Sequence, residues 1–371
     1  MRPAFLDDPA LAAVLAALPG ARVVGGAVRD ALAGRAVADI DIATPDPPDA
    51  VMAALRAAGL KAVPTGLAHG TVTAVSAHRG FEVTTLRRDV ATDGRHATVA
   101  FTDDWQADAA RRDFTINAMS MDRDGRLFDY FGGQDDLAAG RLRFVGDPAT
   151  RIAEDYLRIL RFFRFFARYG RGVPDAPALA AIRAGVAGMA ILSAERVWSE
   201  LKRILAAPDP APTLALMAAT GVLAAVLPEG VDLARLGTLP PEPLLRLAAL
   251  LTGDAAALAV RLKLSTQERE TLIALREPLG PVASEADCRR LLADVANPIA
   301  AGRARLAGQP DLVARLEALP RPVFPLRGRD LAGLAEGPAM GALLRDLRAW
   351  WMEGGCVAGA AECRAELRRR T

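Results

Sequence analysis

The sequence predicts an α+β unit built on a small mixed sheet, followed by a long all-helical remainder. Three observations carry this expectation. Short β-like runs are confined to residues 1–140 of the 371. The chain is rich in Ala, Leu and Arg with only 5% aromatic residues, a composition that favours helices. Beyond residue 207 it reads as Ala/Leu-rich segments broken by prolines at Pro208, Pro210, Pro240-Pro241, Pro281, Pro298, Pro310 and Pro320–Pro325. Half the residues are apolar, so sizeable cores can be buried, and the length predicts about two to four units.

In chain order, the apolar run Leu11–Leu18 follows Asp7 and Asp8 rather than a basic stretch, so it reads as an amphipathic helix and not a signal peptide. The predicted strands are Ala21–Val24, Asp39–Ala43, Thr71–Ser76, Phe81–Thr85, Thr98–Phe101 and Leu127–Tyr130. The third and fourth form a hairpin through Ala77-His78-Arg79-Gly80. Helices are predicted over Ala27–Ala33, Pro48–Ala58, Arg111–Ala118, Ile152–Tyr169 and Ala194–Ala206, the last with Ser193 as N-cap. Domain boundaries are expected at 1–140, 141–205, 206–275 and 276–371, and no repeat of fixed period is visible.

Charge is divided unevenly. Residues 1–140 carry 14 Lys/Arg against 19 Asp/Glu, and residues 141–205 carry 12 against 6. The rest is near balance, with 20 against 19. An acidic unit beside a basic one suits a metal site beside a polyanion track. The three cysteines (Cys288, Cys356, Cys363) have no metal-ligand spacing and no disulfide framework, which fits a reducing cytoplasm. No apolar run reaches transmembrane length, so no membrane role is expected.

The chemistry concentrates in a few stretches. Gly25-Gly26-Ala27-Val28-Arg29-Asp30 places a glycine pair before a helix, where backbone N–H groups can face a phosphate, with Arg29 beside them. Alone, a glycine pair is more often only a tight turn. In Asp39-Ile40-Asp41 two carboxylates share one face of a strand. Such a pair repels unless a cation sits between, and Mg²⁺ is the usual cation when a phosphate adds oxygens. A solvated strand edge is the plain alternative. Glu82 faces away from Phe81 and Val83, either as a surface carboxylate or as a third acid of the metal site.

Arg111 and Arg112 open a predicted helix, where the macrodipole disfavours cations, so a bound anion would account for them. The alternative is a surface ion pair with Asp113 or Asp108. Along Ile152–Tyr169, Arg158, Arg161 and Arg164 recur every three residues and span an arc of roughly 120°. Asp155 starts the same spiral. Either these cations are a solvated face paired to Glu154 and Asp155, or they meet an anionic ligand.

Taken together these stretches resemble the class II tRNA nucleotidyltransferases, the CCA-adding enzyme and bacterial poly(A) polymerase family of the polymerase-β-like superfamily. The matching motifs are G-G-A-V-R-D with D-I-D, H-G-T-V-T, F-E-V-T-T-L-R, R-R-D-F-T-I-N-A-M, D-Y-F-G-G-Q-D-D-L and R-I-A-E-D-Y-L-R-I-L-R-F-F-R-F, all within residues 20–205. Short echoes follow at Ser193-Ala194-Glu195-Arg196 and Arg261–Ser265. The resemblance implies a polymerase-β-like nucleotidyltransferase head followed by an all-helical neck, body and tail. It implies Asp39 and Asp41 as metal carboxylates with Glu82 as third acid. Gly25, Gly26, Arg29 and Arg112 would lie against the triphosphate. Asp155 and Arg158 would read the base edge, aided by Arg161 and Arg164. The implied reaction joins CTP- and ATP-derived nucleotides to a tRNA 3′ end with two Mg²⁺ ions and release of pyrophosphate.

Some features depart from the pattern. Thr85-Leu86-Arg87 stands where T-F-R is common, and Asp93-Gly94-Arg95-His96-Ala97 replaces an Arg-Pro continuation. All three histidines (His69, His78, His96) fall in residues 1–140, so no appended His-Asp phosphohydrolase is expected. The rivals are a poly(A) polymerase, a CC- or A-adding enzyme, and a non-catalytic RNA-binding relative. A small-molecule nucleotidyltransferase would lack the Glu154–Arg164 stretch and the helical remainder. Trp350-Trp351 is expected in a core rather than stacked on a base.

Overall fold

A computed structural model of the chain describes residues 2–92, 97–237, 239–334 and 337–371. The Asp93–His96 departure therefore lies outside the described residues. The chain forms two compact units, Met1–Pro228 and Glu229–Thr371.

The first unit opens with α1 (Pro9–Ala17), started by Asp8, whose carboxylate accepts the Ala10 N–H. Its sheet contains β1 (Arg22–Val24), β2 (Asp41–Thr44), β3 (Lys61–Gly66), β4 (Thr71–Ser76), β5 (Arg79–Thr85), β8 (Ser120–Met121) and β9 (Leu127–Phe128). The order is β3-β4-β5-β2-β1-β8-β9. Only β2 and β5 run parallel; every other neighbouring pair is antiparallel. A separate ribbon joins β6 (Arg87–Thr92) to β7 (Ala97–Phe101). Between the strands lie α2 (Gly26–Leu32), α3 (Pro48–Ala57), α4 (Trp105–Ala110) and α5 (Gly133–Ala139). The helical part of this unit holds α6 (Pro148–Glu154), α7 (Leu157–Tyr169), α8 (Ala176–Gly185), α9 (Ala194–Leu205), α10 (Ala211–Ala219) and α11 (Val222–Val226).

Three predictions are corrected. The β4–β5 hairpin turns on two residues, not four: Ala77 and His78 both take positive φ (48° and 61°), the conformation that matches the strand twist. The predicted helix Arg111–Ala118 does not form. The Asp113 carboxylate accepts its neighbour Phe114's N–H, and Phe114 bridges to Phe144, leaving only a short 3₁₀ turn over Thr115–Asn117. Ile152–Tyr169 is not one helix. It breaks at Asp155 (φ −159°, ψ 107°), whose carboxylate accepts the Leu157 N–H.

An aromatic cluster fastens the sheet-bearing part to α7. Phe114 packs against Phe144 (4.8 Å between centroids), Phe165 (5.4 Å) and Phe162 (6.2 Å). Phe114, Phe162 and Phe163 are fully buried, so these contacts contribute hydrophobic area as well as ring geometry. The D-Y-F-G-G-Q-D-D-L motif locks the same region. A Cβ on Gly133 would stand 2.2 Å from the Thr115 carbonyl oxygen, so only glycine allows α5 to pack there. The wholly buried Asp136 accepts from Thr115 Oγ1 (2.7 Å), Arg141 Nε (2.6 Å) and Arg143 Nε (2.7 Å). Those donors compensate a charge that would be costly alone.

The second unit contains α12 (Pro243–Leu250), α13 (Ala255–Arg261), α14 (Thr266–Arg276), α15 (Glu285–Asp294), α16 (Asn297–Leu306), α17 (Pro310–Ala318), α18 (Gly337–Glu353) and α19 (Ala360–Arg370). Ser265 with Glu268, and Ser284 with Asp287, form reciprocal caps that start α14 and α15. Trp351 is buried, donates to the Ala358 carbonyl (3.0 Å) and has Trp350 packed beside it, as expected of core residues. The three cysteines are buried and free. Among the described residues no helix is long and apolar enough to cross a membrane.

Candidate active site

The site is a cleft of about 480 Å³ in the first unit, with one wall from the sheet and the other from α7. Gly25, Gly26 and Asp41 lie on the sheet side, and Asp155, Arg158 and Arg161 on the helical side. Arg29 and Arg112 also line it.

Gly25 ends β1 with φ 65° and ψ −118°, a conformation that only glycine adopts without strain. A Cβ there would also stand 2.9 Å from Arg112 Nη1. The glycine thus turns the chain into α2 and leaves room for a guanidinium beside it.

The strand β2 begins at Asp41, not Asp39, so the alternation predicted for the aspartate pair does not extend back to Asp39. Asp41 instead sits opposite Glu82 across the parallel β2–β5 pair. Adjacent register partners face the same side, and both residues are open to solvent. Although Asp41 is exposed at the mouth of the cleft, partial desolvation there raises its carboxyl above the usual range. The charges of Glu82 and Asp39 act in the same direction, and Arg112 opposes them. This is negative charge gathered without a full counter-ion, and it fits a divalent cation. Among the described residues no three His, Cys, Asp or Glu side chains form a complete metal cage. A cation here would take the Asp41 and Glu82 carboxylates and fill its remaining positions with phosphate or water oxygens, the usual arrangement for Mg²⁺.

The arginines are placed differently from the expectation. Arg111 and Arg112 follow the C-terminus of α4, where the macrodipole favours cations, so their position does not itself call for an anion. Both pair with the buried Asp108, Arg111 at 2.9 Å and Arg112 at 3.4 Å. Arg29 is buried and donates to Asn117 Oδ1 (2.5 Å) and Asp30 Oδ1 (3.0 Å), with its guanidinium over the Tyr169 ring at 4.6 Å. Each arginine of the α7 row has its own acid. Arg158 pairs with Glu154 and Arg161 with Asp113, while Arg164 pairs with Glu200 at 2.5 Å. Arg164 does not line this cleft; it faces a neighbouring one.

Asp155, freed from the helix, accepts Arg196 Nη2 at 2.6 Å. The base-reading pair implied by the sequence therefore sits on the cleft wall as two separate pairs, Asp155 with Arg196 and Arg158 with Glu154. Asp113, Asn117, Phe165 and Arg196 also line the cleft and were not singled out from the sequence. Asp113, Asn117 and Arg196 sat inside recognised motifs, but their partners are distant in the chain. Burial works against the Asp113 charge, yet Arg161, Asn117 and the Phe114 N–H together hold its carboxyl below the ordinary range.

A glycine turn, an open carboxylate pair on adjacent strands and a facing wall of arginines define a nucleotidyltransferase head joined to an arginine-bearing helix. Known proteins agree. Residues 21–143 match the family described as "Poly A polymerase head domain", and residues 175–233 match "Probable RNA and SrmB- binding site of polymerase A". CCA tRNA nucleotidyltransferase 1, mitochondrial, of Mus musculus is 39% identical over 363 residues, covering 90% of this chain and 83% of that protein. The CCA-adding enzyme of Geobacillus thermodenitrificans is 40% identical over 201 residues, or 54% of this chain and 48% of that one. A solved Bacillus stearothermophilus CCA-adding enzyme in complex with CTP superposes with a TM-score of 0.76 at 26% identity, covering 98% of both chains. The chain belongs to the CCA tRNA nucleotidyltransferase family.

Proposed function

We propose that this protein builds or repairs the 3′-terminal CCA of tRNA, using CTP and ATP and releasing pyrophosphate. One observation carries the reading: Asp41, paired in register with Glu82, opens into the same cleft that Asp155, Arg158 and Arg161 line. A nucleotide lying across that cleft has its phosphates over the glycine turn and its base against α7. Gly26 and Arg112 border the triphosphate, and Arg29 holds that corner in shape through Asn117. A base edge offers both donors and acceptors, and Asp155 with Arg158 can answer both kinds. Arg161 holds the wall in place through Asp113. Arg164 is assigned to the neighbouring cleft rather than to the base.

Asp41 and Glu82, with Asp39 beside them, are the residues that would hold the divalent metal, which we take to be Mg²⁺. When bound, it supplies activation of the attacking 3′-hydroxyl and neutralisation of the leaving pyrophosphate. The carboxylates themselves fix where the 3′ end must arrive. Within this reading, residues 1–140 act as head and 141–205 as neck, with 206–275 and 276–371 as helical body and tail. The free thiols suit a reducing compartment such as the cytoplasm.

The test offers tRNA lacking its last three nucleotides CTP alone, ATP alone, and CTP with a chelator. Two cytidines from CTP, negligible incorporation from ATP alone, and none with chelator support the function. Equal use of ATP alone would favour poly(A) synthesis, and no incorporation under any condition would favour an RNA-binding protein.

A further inference from the structure

Beyond Phe165 the nucleotide cleft gives way to a second cavity of about 460 Å³ in the same unit. It is lined by Arg35, Arg164, Arg168 and Arg203, and it shares Arg29 and Phe165 with the nucleotide cleft. A third cavity of about 400 Å³ shares Arg35 and Arg168 and adds Arg171. Arginine thus runs continuously across two adjoining hollows.

The charge is poorly compensated. The single acid lining the second cavity, Asp30, is taken by Arg29 and by the Tyr169 hydroxyl. Glu200 takes Arg164 at 2.5 Å and reaches Arg203 only at 3.6 Å. Among the described residues no carboxylate pairs with Arg35, Arg168 or Arg171. Arg35 instead donates to the Arg168 carbonyl at 2.6 Å, which draws two cationic residues together. Like charges so gathered repel, and an anion relieves them. Guanidinium forks fit phosphate oxygens.

We propose that this arginine track seats backbone phosphates of the tRNA strand whose 3′ end is extended; the proposal rests on the function given above. Two features favour a strand over the nucleotide's own phosphates. The track is elongated, spanning two cavities, whereas the triphosphate already has Arg112 in its own cleft. Its rim also leads to the carboxylates: Ala36 and Ala38 line the second cavity, and Asp39 and Asp41 follow within three residues. That is at most about 10 Å of extended chain. Along α7, Arg158 in one cleft and Arg168 in the other are about 15 Å apart. A strand lying in the track is therefore within reach of the Asp41 cleft.

The test compares the full-length wild type with the Arg168→Ala/Arg203→Ala double variant, Arg168→Ala alone and Arg35→Ala. Substrates are tRNA lacking CCA, and CTP. In the double variant the KM for tRNA is expected to rise about tenfold or more, while the KM for CTP moves less than about twofold. The log–log slope of tRNA affinity against salt should shallow by about 1.4, corresponding to two single-strand phosphate contacts. The Arg168→Lys/Arg203→Lys variant should recover part of the loss. Arg168 and Arg203 are exposed, so melting temperatures should stay unchanged. Unaltered tRNA KM and salt slope would overturn the proposal, and an equal rise in the KM for CTP would reassign the track to the triphosphate. A wild type that never extends tRNA refutes the function itself; a wild type that does, with unaffected variants, refutes only the subsite.

Discussion

At the residue scale, single side chains carry distinct burdens. Asp41→Asn should lower kcat by about 10³-fold or more, since the barrier rises by several kcal/mol when the metal carboxylate is lost. CTP binding measured by titration should persist, and thermal stability should not fall, because the change relieves repulsion with Glu82 and Asp39. Gly25→Ala combines a strained φ of 65° with a Cβ 2.9 Å from Arg112. It should cost about 1–3 kcal/mol by denaturant titration and raise the KM for both nucleotides. Asp113 gives a pH signature. Its folded pKa lies below the ordinary carboxylate value, so its stabilisation is present above that value and is lost as pH falls through the lower folded one. Asp113→Asn should destabilise at neutral pH by about 2 kcal/mol, because Arg161 loses its partner, and should flatten the acid limb of the stability curve.

At the scale of elements, the decisive feature is the break between α6 and α7. Periodicity runs unbroken from Ile152 to Tyr169 because no Gly or Pro interrupts it, and a single helix was the natural expectation. What breaks it is a side chain: Asp155 takes a local backbone donor and a distant one, Arg196, 41 positions later. Ile159, Phe162, Phe163 and Phe166 recur on one helix side and so read as packing inward; the first three are fully buried and Phe166 is half-buried. Helical spacing identified Glu154 as the partner of Arg158, but not the acids that Arg161 and Arg164 meet, since Asp113 and Glu200 lie far off in sequence. For Arg111 and Arg112 the sequence offered Asp113 or Asp108 as ion-pair partners, and Asp108 is the partner of both; what it missed is that Asp113 and Phe114 break the predicted helix. By contrast, the glycine turn and the strands around Asp41 and in the β4–β5 hairpin were legible from local pattern, although the two-residue turn at Ala77-His78 and the start of β2 at Asp41 were not. Asp155→Ala should lower the preference between CTP and ATP by at least about tenfold while slowing transfer less, read from competing incorporation of the two nucleotides. An unchanged preference would remove Asp155 from base reading.

At the scale of the whole molecule, the sequence showed an acidic sheet-bearing stretch followed by a basic helical one, and the first unit builds its cleft from both. The helical second unit was legible as architecture through its proline breaks, but not as chemistry. Its arginines, such as Arg276 and Arg303, cap carbonyls and pair with acids in ways that spacing does not disclose. Membership of the CCA tRNA nucleotidyltransferase family, shared with a mouse enzyme over 90% of this chain, narrows the chemistry that the cleft can be asked to do. The most direct measurement is sequencing of RNA 3′ ends after prolonged incubation of tRNA lacking CCA with protein, Mg²⁺, CTP and excess ATP. The cleft described here predicts ends that read CCA and stop. Long adenosine tails, or ends left unextended, would contradict it.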